Sequence, residues 1–376
     1  MTAPDSTRIE TRLAALREAL ESAGLGASAL LANSYNISYM CGMSGLIDAE
    51  DPHVALITSD EALLFTDSRY SETARQQSAA AGDLWEVVEF SGARPVSEEI
   101  IERLSYCKVG AITLEDTMCY RRYQDWAQHL SDAGIETETS TNLVEGLRRA
   151  KDAGEIEAIA AAQAITDEAF SQMLGFMQIG MSELEIASEL EYRMRKLGAD
   201  GLAFPSIVAS GPNGAKPHAM PSARTISLGD FVVMDFGAAR DGYCSDMTRT
   251  VVFGEPSAEA RAVYATVLVA QAAGLEAARA GVAGSAVDAA ARSVITKAGY
   301  GKHFGHGLSH GLGMLVHENP HCSPRSTDTL APGDVISMEP GVYLPGQFGV
   351  RIEDLIAITG DGIRNFTTSA KELIIL

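Results

Sequence analysis

Two stretches far apart in the chain repeat one pattern: "GDFVVMDFGA" at 229–238 and "GDVISMEPGV" at 333–342. Each opens on Gly-Asp and runs through four mostly apolar residues. Each then places an acid six residues after its glycine, Asp235 in the first copy and Glu339 in the second. Short apolar runs bounded by turn residues are buried strands. A helical pair precedes each copy. "VEGLRRAKDAGEIEAIAAAQAITDEAFSQML" (144–174), read as one long helix, and "SELEIASELEYRMRKLG" (182–198) come before the first. "SAEARAVYATVLVAQAAGLEAARAG" (257–281) and "SAVDAAARSVITKAG" (285–299) come before the second. Helices, strands, helices, strands is the order of a duplicated α+β unit.

The first copy continues as "MDFGAARDGYCSDMTRTVVFG" (234–254), in which Asp241-Gly242 is a favoured two-residue hairpin turn. That turn pairs Arg240 with Tyr243, Gly237 with Asp246 and Asp235 with Thr248. Side chains alternate faces along a strand, so Asp235 and Asp246 become diagonal neighbours on one face, their Cα atoms about 7–8 Å apart. The second copy continues as "VISMEPGVYLPGQFGVRIEDLIAI" (335–358). A three-residue loop at Pro345-Gly346-Gln347 sets Glu339 directly opposite Glu353. Pro340 lacks an N–H and interrupts the ladder locally.

Four acids on strands that read as buried need counter-charge, because like charges out of water must protonate or bind cations. Arg249 and Arg351 are expected to supply part of it, and divalent ions would supply it more completely. A carboxylate-rich set with one imidazole suits Mn²⁺, and Co²⁺, Fe²⁺ or Zn²⁺ are compatible with it. Two such ions about 3.5–4 Å apart clamp a bridging water and lower its pKa, which is the chemistry of a hydrolase. The imidazole is sought in "FGHGLSHGLGMLVHENP" (304–320), which holds His306, His310 and His317. The segment is too rich in glycine for a helical zinc-binding pair and lacks a glutamate after its first histidine. The residues alone leave open which of the three meets metal.

The chain has 376 residues and a net charge of −21, with 46% hydrophobic and 21% charged residues, as expected of a soluble globular protein large enough for two cores. The acidic balance argues against nucleic acid or an anionic membrane as partner. Five scattered cysteines form no CxxC pair and indicate neither a zinc knuckle nor a disulfide framework. The start, "MTAPDSTRIETRLAALREALESAGL", reads as an amphipathic helix rather than a signal peptide, and no apolar run spans a membrane. A reducing cytoplasm is the expected location. Residues 1–143 alternate helical and strand patterns and form an expected smaller α/β domain, with 144–376 as the second domain. Within the first domain, "NSYNISYMCGMSG" (33–45) and "TDSRYSETA" (66–74) mix polar and aromatic residues and read as loop chemistry local to that domain.

Taken in order, "FPSIVASGPNGAKPHAMP" (204–221), "MDFGAARDGYCSDMTRT", "FGHGLSHGLGMLVHENP", "MEPGVYLPGQFGVRIED" and the terminal "KELIIL" resemble the proline-specific metallopeptidases of the pita-bread fold, aminopeptidase P and prolidase. "NSYNISYMCGMSG" and "TDSRY" look like that family's creatinase-like amino-terminal domain, so the likeness spans the whole chain. The resemblance implies five metal ligands, Asp235, Asp246, His310, Glu339 and Glu353, holding two divalent ions, Mn²⁺ foremost. It implies hydrolysis of the Xaa-Pro bond of dipeptides, or of the amino terminus of short peptides, by a hydroxide bridging the metals. In that mechanism Glu339 takes the water proton and His317 stabilises the oxyanion. His218 and His306 serve the proline side, and Arg351 lies among the groups contacting ligands or substrate. A homodimer is implied as well. A metal-free amidinohydrolase like creatinase and a non-catalytic binding protein on the same scaffold are the alternatives, but both kinds of relative have lost ligands that this sequence keeps. Two departures stand out. Ser309 replaces the family's usual glycine, and Lys216 replaces an apolar residue, placing an expected cation near the substrate mouth. His53, His129, His303 and His321 are read as surface or structural.

Overall fold

The computed structural model describes residues 5–50, 52–92 and 94–376, so the first four residues of the amino-terminal helical stretch lie outside the described residues. The chain divides into two units, 1–148 and 149–376.

The first unit runs α1 (Ser6–Ser22), β1 (Ala29–Leu31), α2 (Ser34–Cys41), β2 (Val54–Ile57), β3 (Ala62–Thr66), α3 (Ser71–Ala80), β4 (Glu86–Glu89), α4 (Val96–Tyr106), β5 (Ala111–Glu115), α5 (Tyr120–Asp132), β6 (Glu136–Ser140) and the start of α6 (Leu143–Arg149). Its six strands form one mixed sheet in the order β4-β3-β2-β1-β5-β6. Leu30, Leu56, Ile112 and Leu114 from the strands pack with Ile100, Leu104 and Leu130 from α4 and α5. The polar stretch at 33–45 is not loop chemistry: most of it is α2. Asn33 caps this helix by accepting the Tyr35 N–H at 2.9 Å, and the buried Glu115 carboxylate accepts the Ala32 N–H at 2.5 Å. Asn36 Nδ2 bridges Glu115 and Glu145 at 2.9 and 2.7 Å. These polar residues satisfy a buried helix start, where N–H groups have no partner within the helix. The second stretch likewise turns at Asp67 and enters α3.

The second unit does not begin with one long helix. α6 ends at Arg149, and α7 (Ala153–Leu174) starts afresh behind a capping box in which Asp152 and Glu155 exchange hydrogen bonds at 2.9 Å. The rest of the first half is α8 (Glu183–Lys196), β7 (Gly201–Leu202), β8 (Ile207–Ser210), β9 (Phe231–Phe236), β10 (Ala238–Arg240), β11 (Tyr243–Cys244) and β12 (Met247–Val252). The second half has α9 (Ala258–Ala277), α10 (Gly284–Lys297), β13 (Ser309–Gly311), β14 (Glu318–Cys322), β15 (Val335–Met338), β16 (Gly341–Leu344), β17 (Phe348–Arg351), β18 (Asp354–Ile358) and β19 (Ile363–Asn365), and β20 (Ile374–Ile375) returns to pair with β12.

Duplication is visible in the backbone bonds themselves. The Gly180 N–H donates to Ile226 O at 2.9 Å and the Gly281 N–H to Leu330 O at 2.8 Å, before α8 and α10 respectively. Gly229 and Gly333, which open the two repeats, have φ of 90° and 91°, a conformation that only glycine adopts cheaply. Each repeat then crosses from a larger sheet to a smaller one. β9 and β12 lie in a four-stranded sheet and β10 and β11 in a three-stranded one; β15 and β18 lie in a five-stranded sheet and β16 and β17 form a two-stranded ribbon. Phe170, Leu190, Met234, Phe236 and Met247 fill the core under the first half, and Val263, Val267, Ile336, Met338 and Ile356 under the second. Burying side chains of this size contributes about 1.5–3 kcal/mol each. That fixes the strands that carry the acids.

Candidate metal centre

Both hairpins adopt the register expected from their turns. In the first, Arg240 pairs with Tyr243 and Asp235 with Thr248, so no extra residue enters between 237 and 246. In the second, Gly341 pairs with Arg351 and Met338 with Asp354, which leaves Glu339 opposite Glu353 with no bulge at Pro340. Regular pairing lapses at Gly237 and Asp246 in one hairpin and around Glu339 and Glu353 in the other, where each hairpin passes between sheets. At those points the side chains turn toward a common cavity of about 740 Å³.

That cavity gathers Asp235, Asp246, His310, Glu339, Glu353, Arg351, His306, His317 and His218, all within the second unit. The backbone of His310 is fixed by its N–H, which donates to Ser337 Oγ at 3.1 Å. His310 Nδ1 lies 3.1 Å from Gly311 O; a carbonyl only accepts, so Nδ1 carries the proton and Nε2 presents a lone pair. That lone pair faces Glu339 Oε1 at 3.3 Å and Asp246 Oδ2 at 3.6 Å. Ligand atoms of Asp246, His310 and Glu353 lie within 4.8 Å of one another. Asp235 Oδ1 and Asp246 Oδ1 are buried with no hydrogen-bond partner.

These groups cannot all be ionised without help. Burial pushes the carboxyls of Asp246 and Glu353 well above the usual range, and the neighbouring acids push in the same direction. Burial likewise raises Glu339 to about 7, against the pull of His306 and Arg351. Burial holds the imidazoles of His310, His306 and His317 below their ordinary value. Lone pairs converging on a buried space, with orphaned oxygens beside them, have the donor chemistry of a divalent-metal centre. A bound cation would satisfy both orphans and remove the repulsion.

Arg351 supplies counter-charge from one side. Its guanidinium donates to Asp235 Oδ2 at 2.7 Å, Thr248 Oγ1 at 2.9 Å and Tyr343 Oη at 2.8 Å. Thr248 passes its own proton to Glu353 Oε2 at 2.7 Å. Tyr343, whose hydroxyl burial raises to about 12, donates in turn to His306 Nε2 at 2.9 Å. His306 Nδ1 donates to Gly307 O at 2.8 Å, so one tautomer is fixed at both nitrogens. The sequence reading missed Tyr343, although the parity that grouped the acids puts it on their face. Two glycines were the available signal. A Cβ at Gly341 would lie 2.5 Å from Tyr343 Oη and one at Gly349 3.0 Å from its ring, so the ring lies across both.

Arg249 departs from expectation. It pairs with Asp354 at 2.9 Å and donates to Ser369 O and Ala370 O at 2.8 and 3.1 Å, fastening the carboxy-terminal segment instead of compensating the four acids. Lys371 of "KELIIL" reaches the same Asp354 at 2.7 Å. Lys216 is exposed, donates to Asn213 Oδ1 at 3.1 Å and is not among the residues lining the cavity. Arg351 and the exposed Arg325 do line it. Phe204, Pro205, Ile207 and Val316 give the cavity an apolar wall.

A cage of acids and one imidazole on a duplicated hairpin scaffold is a metal-hydrolase arrangement, and comparison with known proteins agrees. Residues 157–360 match metallopeptidase family M24, and residues 12–150 match the creatinase/prolidase amino-terminal domain. A protein named Xaa-Pro dipeptidase from Pyrococcus furiosus is 35% identical over 344 residues, 92% of this chain and 94% of that one. A solved structure described as Xaa-Pro dipeptidase from Bacillus anthracis superposes with a TM-score of 0.91 at 39% identity, covering 98% of this chain and 100% of that one. One titled X-Pro aminopeptidase, from Thermotoga maritima, superposes with a TM-score of 0.86 at 36% identity, covering 96% and 100%. The chain belongs to metallopeptidase family M24, with a creatinase-type amino-terminal domain and a pita-bread catalytic domain.

Proposed function

We propose that this chain hydrolyses the Xaa-Pro bond of dipeptides, or of the amino terminus of short peptides, with two divalent ions held by Asp235, Asp246, His310, Glu339 and Glu353, Mn²⁺ being the ion of choice. The observation that carries the reading is the His310 Nε2 lone pair aimed at the Glu339 and Asp246 carboxylates, 3.3 and 3.6 Å away, beside two buried carboxylate oxygens that have no hydrogen-bond partner. Similar chains named for action on Xaa-Pro substrates support the substrate class. When bound, such ions activate water at neutral pH and polarise the scissile carbonyl.

The chain's own residues do the rest. Glu339 accepts the proton of the attacking water and returns one toward the leaving proline nitrogen. His317 donates a hydrogen bond to the oxygen that gains charge as the carbonyl carbon becomes tetrahedral. Arg351 holds Asp235 in place while Tyr343 locks the tautomer of His306 on the substrate side. His218 stands at the exposed lip, where it meets the proline portion. A proline nitrogen carries no hydrogen in the peptide, so the wall of Phe204, Pro205 and Ile207 can seat its ring without an acceptor.

We also infer a domain boundary at 143/144, a homodimer and a reducing cytoplasm. The last is supported by five cysteines that are all free. The test of function is release of proline from Ala-Pro and Leu-Pro, and cleavage of Xaa-Pro-Xaa tripeptides, by metal-stripped enzyme with and without added Mn²⁺. Metal-dependent cleavage of either set supports the proposal; cleavage of neither set with Mn²⁺ present refutes it.

A further inference from the structure

His317 is offered to the cavity by a loop, and among the described residues its ring makes no hydrogen bond of its own. It meets the His310 ring edge-on at 4.4 Å and is otherwise exposed. Its position is therefore set by the backbone of residues 312–318. The start of that loop is pinned by the Leu312 N–H, which donates to Val335 O at 3.0 Å, and by Gly313 O, which accepts the Cys244 N–H at 2.8 Å. The turn that carries His317 itself is clasped by a residue from a distant part of the sequence. Lys151 lies in the break between α6 and α7, with a side chain only 1% exposed, and its Nζ lies 3.3 Å from Glu318 Oε2. Glu318 follows His317 directly, and its other oxygen accepts the Leu315 N–H at 2.9 Å, closing the loop on itself. The fit leaves no room for slack: a Cβ on Gly313 would lie 2.8 Å from Glu318 Oε2 and 2.9 Å from Lys151 Cε.

The backbone of Lys151 is anchored as well. Its N–H donates to Gly333 O at 2.9 Å, and a Cβ on Gly333 would come within 3.3 Å of Lys151 N and O. Gly333 opens the strand that delivers Glu339. Lys151 thus joins the loop bearing His317 to the strand bearing Glu339. A buried Lys–Glu pair is a poor source of stability, because desolvating both charges offsets their attraction. It is a good source of fixed geometry, because the Lys151 and Glu318 side chains are 1% and 8% exposed and have little solvent to move into.

We propose that Lys151 is a positioning residue for the reaction: clasped to Glu318, it holds the 312–318 loop where His317 meets the developing oxyanion. This rests on the proposed role of His317. Misplacing a transition-state donor by about 1 Å costs on the order of 100-fold in rate. Lys151→Met should therefore lower kcat about 10- to 100-fold, with KM changed less than about threefold, while Lys151→Arg recovers most of the loss.

The experiment measures these variants in wild-type and His317→Ala backgrounds, and follows amide hydrogen exchange at Leu315 in the metal-free proteins. The clasp predicts faster exchange at Leu315 in Lys151→Met with β9 amides unchanged, and little further loss of kcat when Lys151→Met is added to His317→Ala. Unchanged Leu315 exchange, or an equal kcat loss in both backgrounds, overturns it. If His317→Ala itself leaves kcat intact, the role of His317 fails, and the exchange data alone decide the clasp. Should Lys151→Met not fold, the paired Lys151→Met/Glu318→Gln removes both buried charges while keeping an oxygen to accept the Leu315 N–H, and is judged by the same readouts.

Discussion

The two halves of the catalytic unit share a backbone but not a chemistry. Aligned through their registers, Asp235 corresponds to Glu339, Thr248 to Glu353, and Asp246 to Arg351. The third strands correspond too: Ile207 pairs with Asp235, while Leu308 O accepts the Glu339 N–H at 3.0 Å, so Ala209 occupies the place of His310. The first half thus brings two aspartates and an apolar strand, and the second brings two glutamates, the imidazole and the guanidinium. Duplication built a cavity with acids on both sides. Divergence at single positions made one side a ligand-rich end with its own cation and the other a wall fit for an apolar ring.

The largest effect should come from attacking the acid that the second half lacks. Asp246→Asn keeps the shape and removes the charge; turnover should fall by more than about 10³-fold, and metal content by mass spectrometry should fall with it. Next is the residue in the equivalent place of the other half. Arg351→Met strips Asp235 of its partner and Tyr343 of its donor, and kcat/KM for Ala-Pro should fall about 100-fold. Tyr343→Phe, which frees the His306 tautomer and removes one acceptor of the Arg351 guanidinium, should cost about tenfold.

Acidity offers a test of the whole cage. Glu339 is raised to about 7, and Asp246 and Glu353 are raised too, so the fold favours their protonated forms. Their contribution is complete below about pH 4, where the unfolded chain is protonated as well, and is lost as pH rises through the folded value near 7. The acids' share of the melting temperature of metal-free protein should therefore fall between about pH 4.5 and 7.5. It is read as the difference from Glu339→Gln, which keeps the opposite slope of the lowered His306, His310 and His317 imidazoles. Mn²⁺ favours the ionised acids and should reverse that slope, because its binding displaces protons. Calorimetry across that range, with and without the ion, checks both signs. The smallest effect is expected at Lys216. Lys216→Ala should alter the preference between Glu-Pro and Ala-Pro less than about twofold, since its amine is turned to Asn213 outside the cavity.

Much of this was legible in the sequence because strand parity is local. Once Asp241-Gly242 is taken as a turn, the face of every residue back to Asp235 follows. The same parity held Tyr343, but a tyrosine among strand residues reads as core until the glycines beneath it are noticed. Arg249 was misread for a different reason. Its partner Asp354 follows Glu353 immediately but points to the opposite face, and two of its backbone acceptors, Ser369 O and Ala370 O, are far along the chain. The break at 150–152 was hidden by strong helix formers on both sides; only the Asp152/Glu155 capping box marks it. For "NSYNISYM", polar residues that satisfy a helix start look the same in sequence as polar residues that do chemistry. Among His306, His310 and His317 the residues alone gave no choice, since glycine-rich backbone leaves no periodicity to read.

The central claim is that four acids and His310 form a cage for two divalent ions that serves Xaa-Pro hydrolysis. Its most direct test is calorimetric titration of chelator-stripped protein with Mn²⁺, with Ala-Pro hydrolysis followed on the same samples. Two ions bound per chain, with activity rising as the sites fill and both signals lost in Asp246→Asn, is the predicted result. Hydrolysis that proceeds without bound metal, or binding that survives Asp246→Asn unchanged, would contradict it.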